Sequence, residues 1–249
     1  MTYLTFHFIF TIPLFLFIAF LNVRSQSFQE RKKWFGCALL CLLAFVYTTP
    51  WDSYLIRENI WNYSPGQVLG TIFYIPFEEY FFFFIQSVIG CLMTAFLMNK
   101  LKANTKHELP VTSFQLVLIF SLFITSALLF FQFIPENNLR YLFLILFWAL
   151  PVVGLQWILG LHILLKEKKV FFTSMILLTL YFWVADSVAI SYKIWTFPEQ
   201  TLTGWTFMFG LPVEEALFFF LTNLMVVQGF ILFTQVSRIP FLNKYEWSF

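Results

Sequence analysis

Seven apolar runs of about 20 residues, separated by short polar connections, leave this chain very few folds. They cover approximately Tyr3 to Leu21, Trp34 to Thr49, Val68 to Met98, Phe114 to Ile134, Tyr141 to Leu165, Val170 to Ile190 and Trp205 to Thr234. Inside a hydrocarbon layer each segment must satisfy its own backbone hydrogen bonds, so runs of this kind fold as helices. Composition excludes a soluble domain, since 60% of the 249 residues are hydrophobic and 11% charged. The expectation is an all-α polytopic membrane protein with seven transmembrane helices. No positive charge precedes the first run and further spans follow it, so it is not read as a cleaved signal peptide. The 37 Phe are largely accounted for by lipid-facing surface.

Charge sits where such helices tolerate it least. Pro76, Phe77, Glu78 and Glu79 lie within the third run, and Pro212, Val213, Glu214 and Glu215 within the seventh. A charged side chain at the centre of a spanning helix costs roughly 2.5 to 3.5 kcal/mol on insertion scales, so paired glutamates need a compensating reason, most often function. Proline removes a backbone donor, so each long run is expected to break near Pro76 or Pro212 and a new helix to begin at the glutamates. Glu79 and Glu215 have Gln86 and Thr222 seven residues on, at nearly the same helical angle and about 10 Å deeper. Phe82, Phe83, Phe218 and Phe219 are expected beneath each pair. The alternative is a set of helix N-terminal carboxylates at the headgroups, favoured only by the helix dipole.

The pattern repeats. Trp51, Asp52 and Ser53 followed by Ile60 and Trp61 recur as Ala185, Asp186 and Ser187 followed by Ile194 and Trp195. The offset is 134 from Asp52 to Asp186 and 136 from Pro76 to Pro212, a two-residue insertion in the second copy. Each copy reads as two helices, a loop with Asp and Trp, and the Glu-Glu helix. The expected organisation is a first repeat over 1–100, a connecting span over 101–138, a second repeat over 139–236 and a tail over 237–249. Equivalent spans four apart point the same way, making this a parallel repeat. Two acidic pockets would then face one another, or share one cavity.

Lys and Arg collect on the cytoplasmic side of a membrane. Loops after spans one, three and five and the C-terminus hold Arg24, Arg31, Lys32, Lys33, Lys100, Lys102, Lys106, Lys166, Lys168, Lys169, Arg238 and Lys244; the opposite side holds Arg57, Arg140 and Lys193. The N-terminus is expected outside, the C-terminus cytoplasmic, and both glutamate pairs in the outer half of a bacterial or archaeal cell membrane.

Two carboxyls sharing a low-dielectric site do not both ionise easily, so one proton can be given and taken back. Aromatic faces can stabilise a developing cation, and exclusion of water protects it from capture. Acid-initiated carbocation chemistry on an apolar polyene fits these features.

The doubled Pro-X-Glu-Glu with trailing Phe, the upstream Asp and Trp, and the two three-span units resemble the membrane-integral lycopene cyclases of the heterodimeric or fused type, over nearly the whole chain. That resemblance implies conversion of the acyclic psi ends of lycopene to rings: protonation at C2, attack of the C5,C6 double bond on the C1 cation, and proton loss. The product is beta-carotene by way of gamma-carotene, and the enzyme class an intramolecular lyase. It further implies proton donation and return by Glu78, Glu79, Glu214 and Glu215, with Asp52 and Asp186 as second acids or orienters. Substrate contacts are expected from Trp51, Trp61, Trp195, Tyr80, Phe82, Phe83, Gln86, Phe218, Phe219 and Thr222, although interfacial anchoring competes for the tryptophans. Trp51 becomes Ala185 and Tyr80 becomes Ala216 in the second copy, so the halves need not be equally active. The expected partners are lycopene or a related acyclic carotenoid, membrane lipid and other carotenoid enzymes, with no nucleic acid.

No glycine fingerprint for a dinucleotide is present, so no cofactor is expected; dependence on reduced flavin or nicotinamide is left open. Missing D-D-x-x-D motifs, a missing lysine in the seventh run and missing Glu-x-x-His argue against a prenyltransferase, a retinal protein and a di-metal site. No metal is expected. Cys37, Cys41 and Cys91 read as small buried hydrophobes, and His7, His107 and His162 as scattered. A proton-coupled membrane carrier is the competing reading, because acids on broken helices also suit transport.

Overall fold

A computed structural model describes residues 1–101, 113–132 and 138–235. Among the described residues six helices are long and apolar enough to cross a membrane: α1 (Tyr3–Ser25), α2 (Arg31–Arg57), α3 (Phe77–Lys100), α5 (Arg140–Lys166), α6 (Lys168–Ser191) and α7 (Val213–Thr234). Between α3 and α5 runs α4 (Ser113–Gln132), whose described apolar stretch, Val117–Leu129, is shorter. The expected fourth span therefore rests partly outside the described residues. So do Lys102, Lys106, His107, Arg238, Lys244 and the expected tail over 237–249.

Helices α3 and α7 form the centre. Their most apolar windows are 67% and 72% buried, against 22% to 50% for α1, α2, α5 and α6. They pack on one another; α3 also meets α1, α2 and α6, and α7 meets α5, α6 and α2. The outer helices turn large apolar side chains outward, among them Phe8, Phe17, Phe20, Trp34 and Phe172, as a lipid-facing surface would.

Prolines shape the outer helices. In α1 a π turn spans His7–Thr11 directly before Pro13, where the missing proline N–H leaves the regular ladder incomplete. Pro50 is absorbed within α2, which runs on to Arg57. Asp52 therefore sits on a helix, and so does Asp186 near the end of α6. This corrects the expected placement of both aspartates in loops; the apolar and aromatic residues past Pro50 still gain from packing, which outweighs one lost backbone bond.

The third and seventh runs break at their prolines as expected, and only the part after each proline is helical. Helix α3 begins at Phe77, immediately after Pro76, and α7 at Val213, immediately after Pro212. The residues upstream are not helical. Residues 71–76 form a hairpin of β2 (Thr71–Ile72) and β3 (Ile75–Pro76) around Phe73 and Tyr74, both at positive φ. Before α7 the chain makes a short 3-10 turn and a bridge between Thr206 and Pro212. An apolar stretch of under ten residues ahead of a proline is too short to hold a helix by itself, and here it folds back as a loop.

The two loops clasp one another. Strand β1 (Asn62–Tyr63) pairs antiparallel with β4 (Trp195–Thr196), in the register Asn62 to Thr196 and Tyr63 to Trp195. The Ser64 N–H donates to Ile194 O at 3.2 Å, and the Thr201 hydroxyl donates to Ile60 O at 3.2 Å. This clasp lies over the N-terminal ends of α3 and α7 and closes that end of the bundle.

Two tyrosine hydroxyls tie helices that otherwise meet little. Tyr47 on α2 donates to Trp148 O on α5 at 2.8 Å, and Tyr181 on α6 donates to Phe10 O on α1 at 2.9 Å. Replacing both by Phe is expected to lower stability in detergent by about 1 kcal/mol in total, since interhelical bonds in membranes average roughly 0.6 kcal/mol each. Thermal unfolding followed by fluorescence checks this.

Candidate active site

The helix starts place the four glutamates in first turns, but adjacent residues on a helix point about 100 degrees apart, and the pairs divide accordingly. Glu78 Oε1 accepts the Leu69 N–H at 2.9 Å, and Glu214 Oε1 accepts the Thr203 N–H at 2.7 Å. These two hold the loops onto the helix ends. Glu79 and Glu215 face inward together and line a single cavity beneath the clasp. The shared cavity is thus the arrangement found. All four carboxyls are buried, with exposures of 0% to 8%, and all four lie in the first turn of their helices.

Phenols hold the inward carboxyls. Tyr3 at the start of α1 donates to Glu79 Oε2 at 2.6 Å, and Tyr63 in the clasp donates to the same oxygen at 2.8 Å. Tyr141 at the start of α5 donates to Glu215 Oε1 at 2.5 Å. Burial, followed by the nearby Glu79 charge, pushes the Tyr63 phenol well above its ordinary value, so it stays an O–H donor throughout the usual pH range. His7 Nε2 donates to Glu78 O at 3.0 Å and Nδ1 lies 2.9 Å from the Thr11 hydroxyl, while its ring stacks on Tyr3.

Sequence reasoning passed over Tyr3, Tyr63, Tyr141, Phe197 and His7. One signal was available: each three-span unit opens on Tyr-Leu, at Tyr3 and Leu4 and again at Tyr141 and Leu142. Tyr63 and His7 carry no comparable mark.

The aspartates differ from each other. Asp186 Oδ1 accepts the Trp195 Nε1–H at 3.0 Å. Asp52, 1% exposed, has no hydrogen-bond partner for either carboxyl oxygen among the described residues, and Trp61 Nε1 is likewise unpaired there.

Of the expected substrate contacts, Trp61, Trp195, Phe82, Phe218 and Phe219 line the cavity with the glutamates. Phe83, Gln86 and Thr222 line a neighbouring one instead, where Gln86 Nε2 donates to the Thr222 hydroxyl at 3.1 Å. The expectation that Phe83 lies beneath the pair is corrected, because it is one residue of helical rotation off the chamber face. Trp51 stacks on Trp148 at 4.5 Å outside the chamber. Tyr80 turns outward and donates to Ile72 O at 3.1 Å.

The chamber is small, about 30 Å³ measured as room for a water centre, or enough for about two waters. Phe82 and Phe218 separate it from a largely apolar cavity of about 280 Å³ between α2 and α5. Leu43, Tyr47 and Trp148 in turn border a cavity of about 610 Å³ that reaches Arg140. Three spaces thus adjoin, from the acid chamber to the flank of the bundle.

Membrane-type helices that bring two buried carboxyls and a set of aromatic side chains to one cavity define a candidate acid–base site. The comparisons make the class specific. The lycopene cyclase family profile matches residues 1–101 and 138–233. A lycopene beta-cyclase of Halobacterium salinarum is 35% identical over 210 residues, covering 83% of this chain and 85% of its own length. Bifunctional lycopene cyclase/phytoene synthases of Aspergillus oryzae and Arthroderma gypseum are 30% and 37% identical over 92% and 84% of this chain, which spans 39% and 38% of their lengths. No solved structure is a significant match. This chain belongs to the lycopene cyclase family, and the carrier reading is not favoured.

Proposed function

We propose that this protein closes rings at the psi ends of lycopene or a related acyclic carotenoid, as an intramolecular lyase of the lycopene beta-cyclase type. The observation that carries the reading is that Glu79 and Glu215 line one small chamber together with aromatic side chains. One carboxyl can protonate a terminal double bond and the other can receive the proton released after closure. Trp61, Trp195, Phe82, Phe218 and Phe219 supply π faces to the cation, and the clasp keeps water away. Glu78 and Glu214 serve as anchors for the loops, and Asp52 and Asp186 orient or relay. The reaction is an isomerisation without net electron transfer, so the proposal invokes no redox cofactor and no metal.

The seven-span, two-repeat architecture belongs to the same proposal, with the N-terminus outside, the C-terminus cytoplasmic and the chain in a cell membrane. Recurring contacts support it: Tyr3 with Glu79 and Tyr141 with Glu215, Leu69 with Glu78 and Thr203 with Glu214, Tyr47 with Trp148 and Tyr181 with Phe10. The two larger cavities offer the polyene an apolar course from the lipid to the chamber.

Expression in a lycopene-accumulating host tests the function. Red pigment is expected to turn yellow, with cyclic end groups identified by chromatography and mass spectrometry. Unchanged lycopene in membranes that hold the inserted protein would overturn the reading.

A further inference from the structure

The two inward carboxyls are alike in burial and unlike in their partners. Tyr3 and Tyr141 are matched: each donates to its glutamate, and each packs edge-on against a tryptophan of the other loop, Trp195 at 5.1 Å and Trp61 at 5.5 Å. The next ring in each stack is not matched. Tyr3 stacks on Tyr63 at 6.0 Å, and Tyr141 stacks on Phe197 at 5.9 Å. Phe197 thus occupies, on its side, the place of Tyr63 without the hydroxyl. Glu79 receives two O–H donors on Oε2 and Glu215 receives one on Oε1.

A carboxylate is stabilised by each donor aimed at it, and hydrogen bonds to an ionised acceptor are about twice as strong as neutral ones. When one proton is shared between two carboxyls on one apolar chamber, the negative charge settles where two phenols meet it. We propose that Glu215 is the acid that starts ring closure and Glu79 the base that ends it, with Tyr63 as the positioning residue that sets this direction. The inference rests on the cyclase reading and deepens it.

The Oε2–H bond of Glu215 breaks as its proton joins C2, using the electron pair of the C1,C2 double bond. The C5,C6 pair then forms the C1–C6 bond and leaves the cation at C5. A C–H bond beside that cation breaks, its electrons form the ring double bond, and the proton goes to Glu79 Oε1. A proton passing back across the shared chamber from Glu79 to Glu215 restores the starting state.

Label placement separates the roles. Wild-type protein and its Glu215→Gln and Glu79→Gln variants, in lipid vesicles with lycopene and deuterated water, are compared at equal amounts of inserted protein. Both variants are expected to lose ring formation by ~100-fold or more. Lycopene recovered from Glu215→Gln should be unlabelled. That from Glu79→Gln should carry terminal deuterium or appear as a tertiary alcohol, because its cation forms and can only revert or capture water. The reverse pattern, or the same pattern in both, overturns the division of labour. Should a Gln variant fail to insert, Tyr63→Phe decides alone: its pH–rate profile should move to higher pH with rate falling ~10-fold, and an unmoved profile overturns the proposal. A wild-type chain that leaves lycopene untouched defeats the cyclase reading itself, whereas an active wild type with the wrong label pattern defeats only the assignment.

Discussion

A chain in which Glu79 and Glu215 are both glutamine reaches the membrane in normal amount and makes no ring. The expected loss is at least ~10²-fold and up to ~10⁴-fold, the range over which positioned acids and bases act. Glutamine keeps the shape and can still accept the Tyr3 and Tyr141 hydroxyls, so the helices should assemble as before. Neither side chain then carries a transferable proton. Effects of groups acting on one reaction are far from additive, so the double variant should be little worse than the poorer single one. Pigment analysis in a lycopene-accumulating host, paired with immunodetection in membranes, measures both quantities. Ring formation surviving in the double variant would remove these residues from the chemistry.

Insertion of bulk at Gly90 is expected to have the second large effect. Gly90 lies where α3 crosses α7, and a Cβ placed there would stand 2.6 Å from Val226 Cγ1. Small residues let membrane helices approach closely, and overpacking a filled interface costs about 1–3 kcal/mol. Gly90→Val should lower the unfolding midpoint in detergent. It should also slow ring formation, because α3 and α7 carry the two inward carboxyls and would be pushed apart. Gly90→Val combined with Val226→Gly moves the side chain across the contact without adding volume, and should recover most of both losses. Failure of the exchange to rescue would mean that Gly90 matters for another reason than this crossing.

How much of this was legible beforehand depends on what each residue leaves in the sequence. Helix starts at Phe77 and Val213 follow from Pro76 and Pro212, because a proline leaves a one-residue signature. Burial of the glutamate doublets followed from the cost of charge within apolar runs. The division of each doublet into a loop anchor and a chamber acid could not be read, since periodicity fixes the angle between neighbours and not the direction of the bundle axis. The continuation of α2 past Pro50 was hidden because its outcome is decided by tertiary packing. Tyr63 was hidden because its partner lies across the clasp, in a pairing of β1 with β4 that two-residue strands do not announce. Phe197, where a hydroxyl is missing, becomes informative only once Tyr63 is seen beside Glu79.

Everything turns on the carotenoid end group sitting between Glu79 and Glu215. The most direct measurement is a structure of this protein in lipid with a non-reactive saturated-end carotenoid bound. The account predicts the terminal carbons within ~4 Å of Glu79 and Glu215, with the polyene running past Phe82 and Phe218 toward the cavity between α2 and α5. An end group elsewhere on the bundle, with both glutamates open to water, would contradict it.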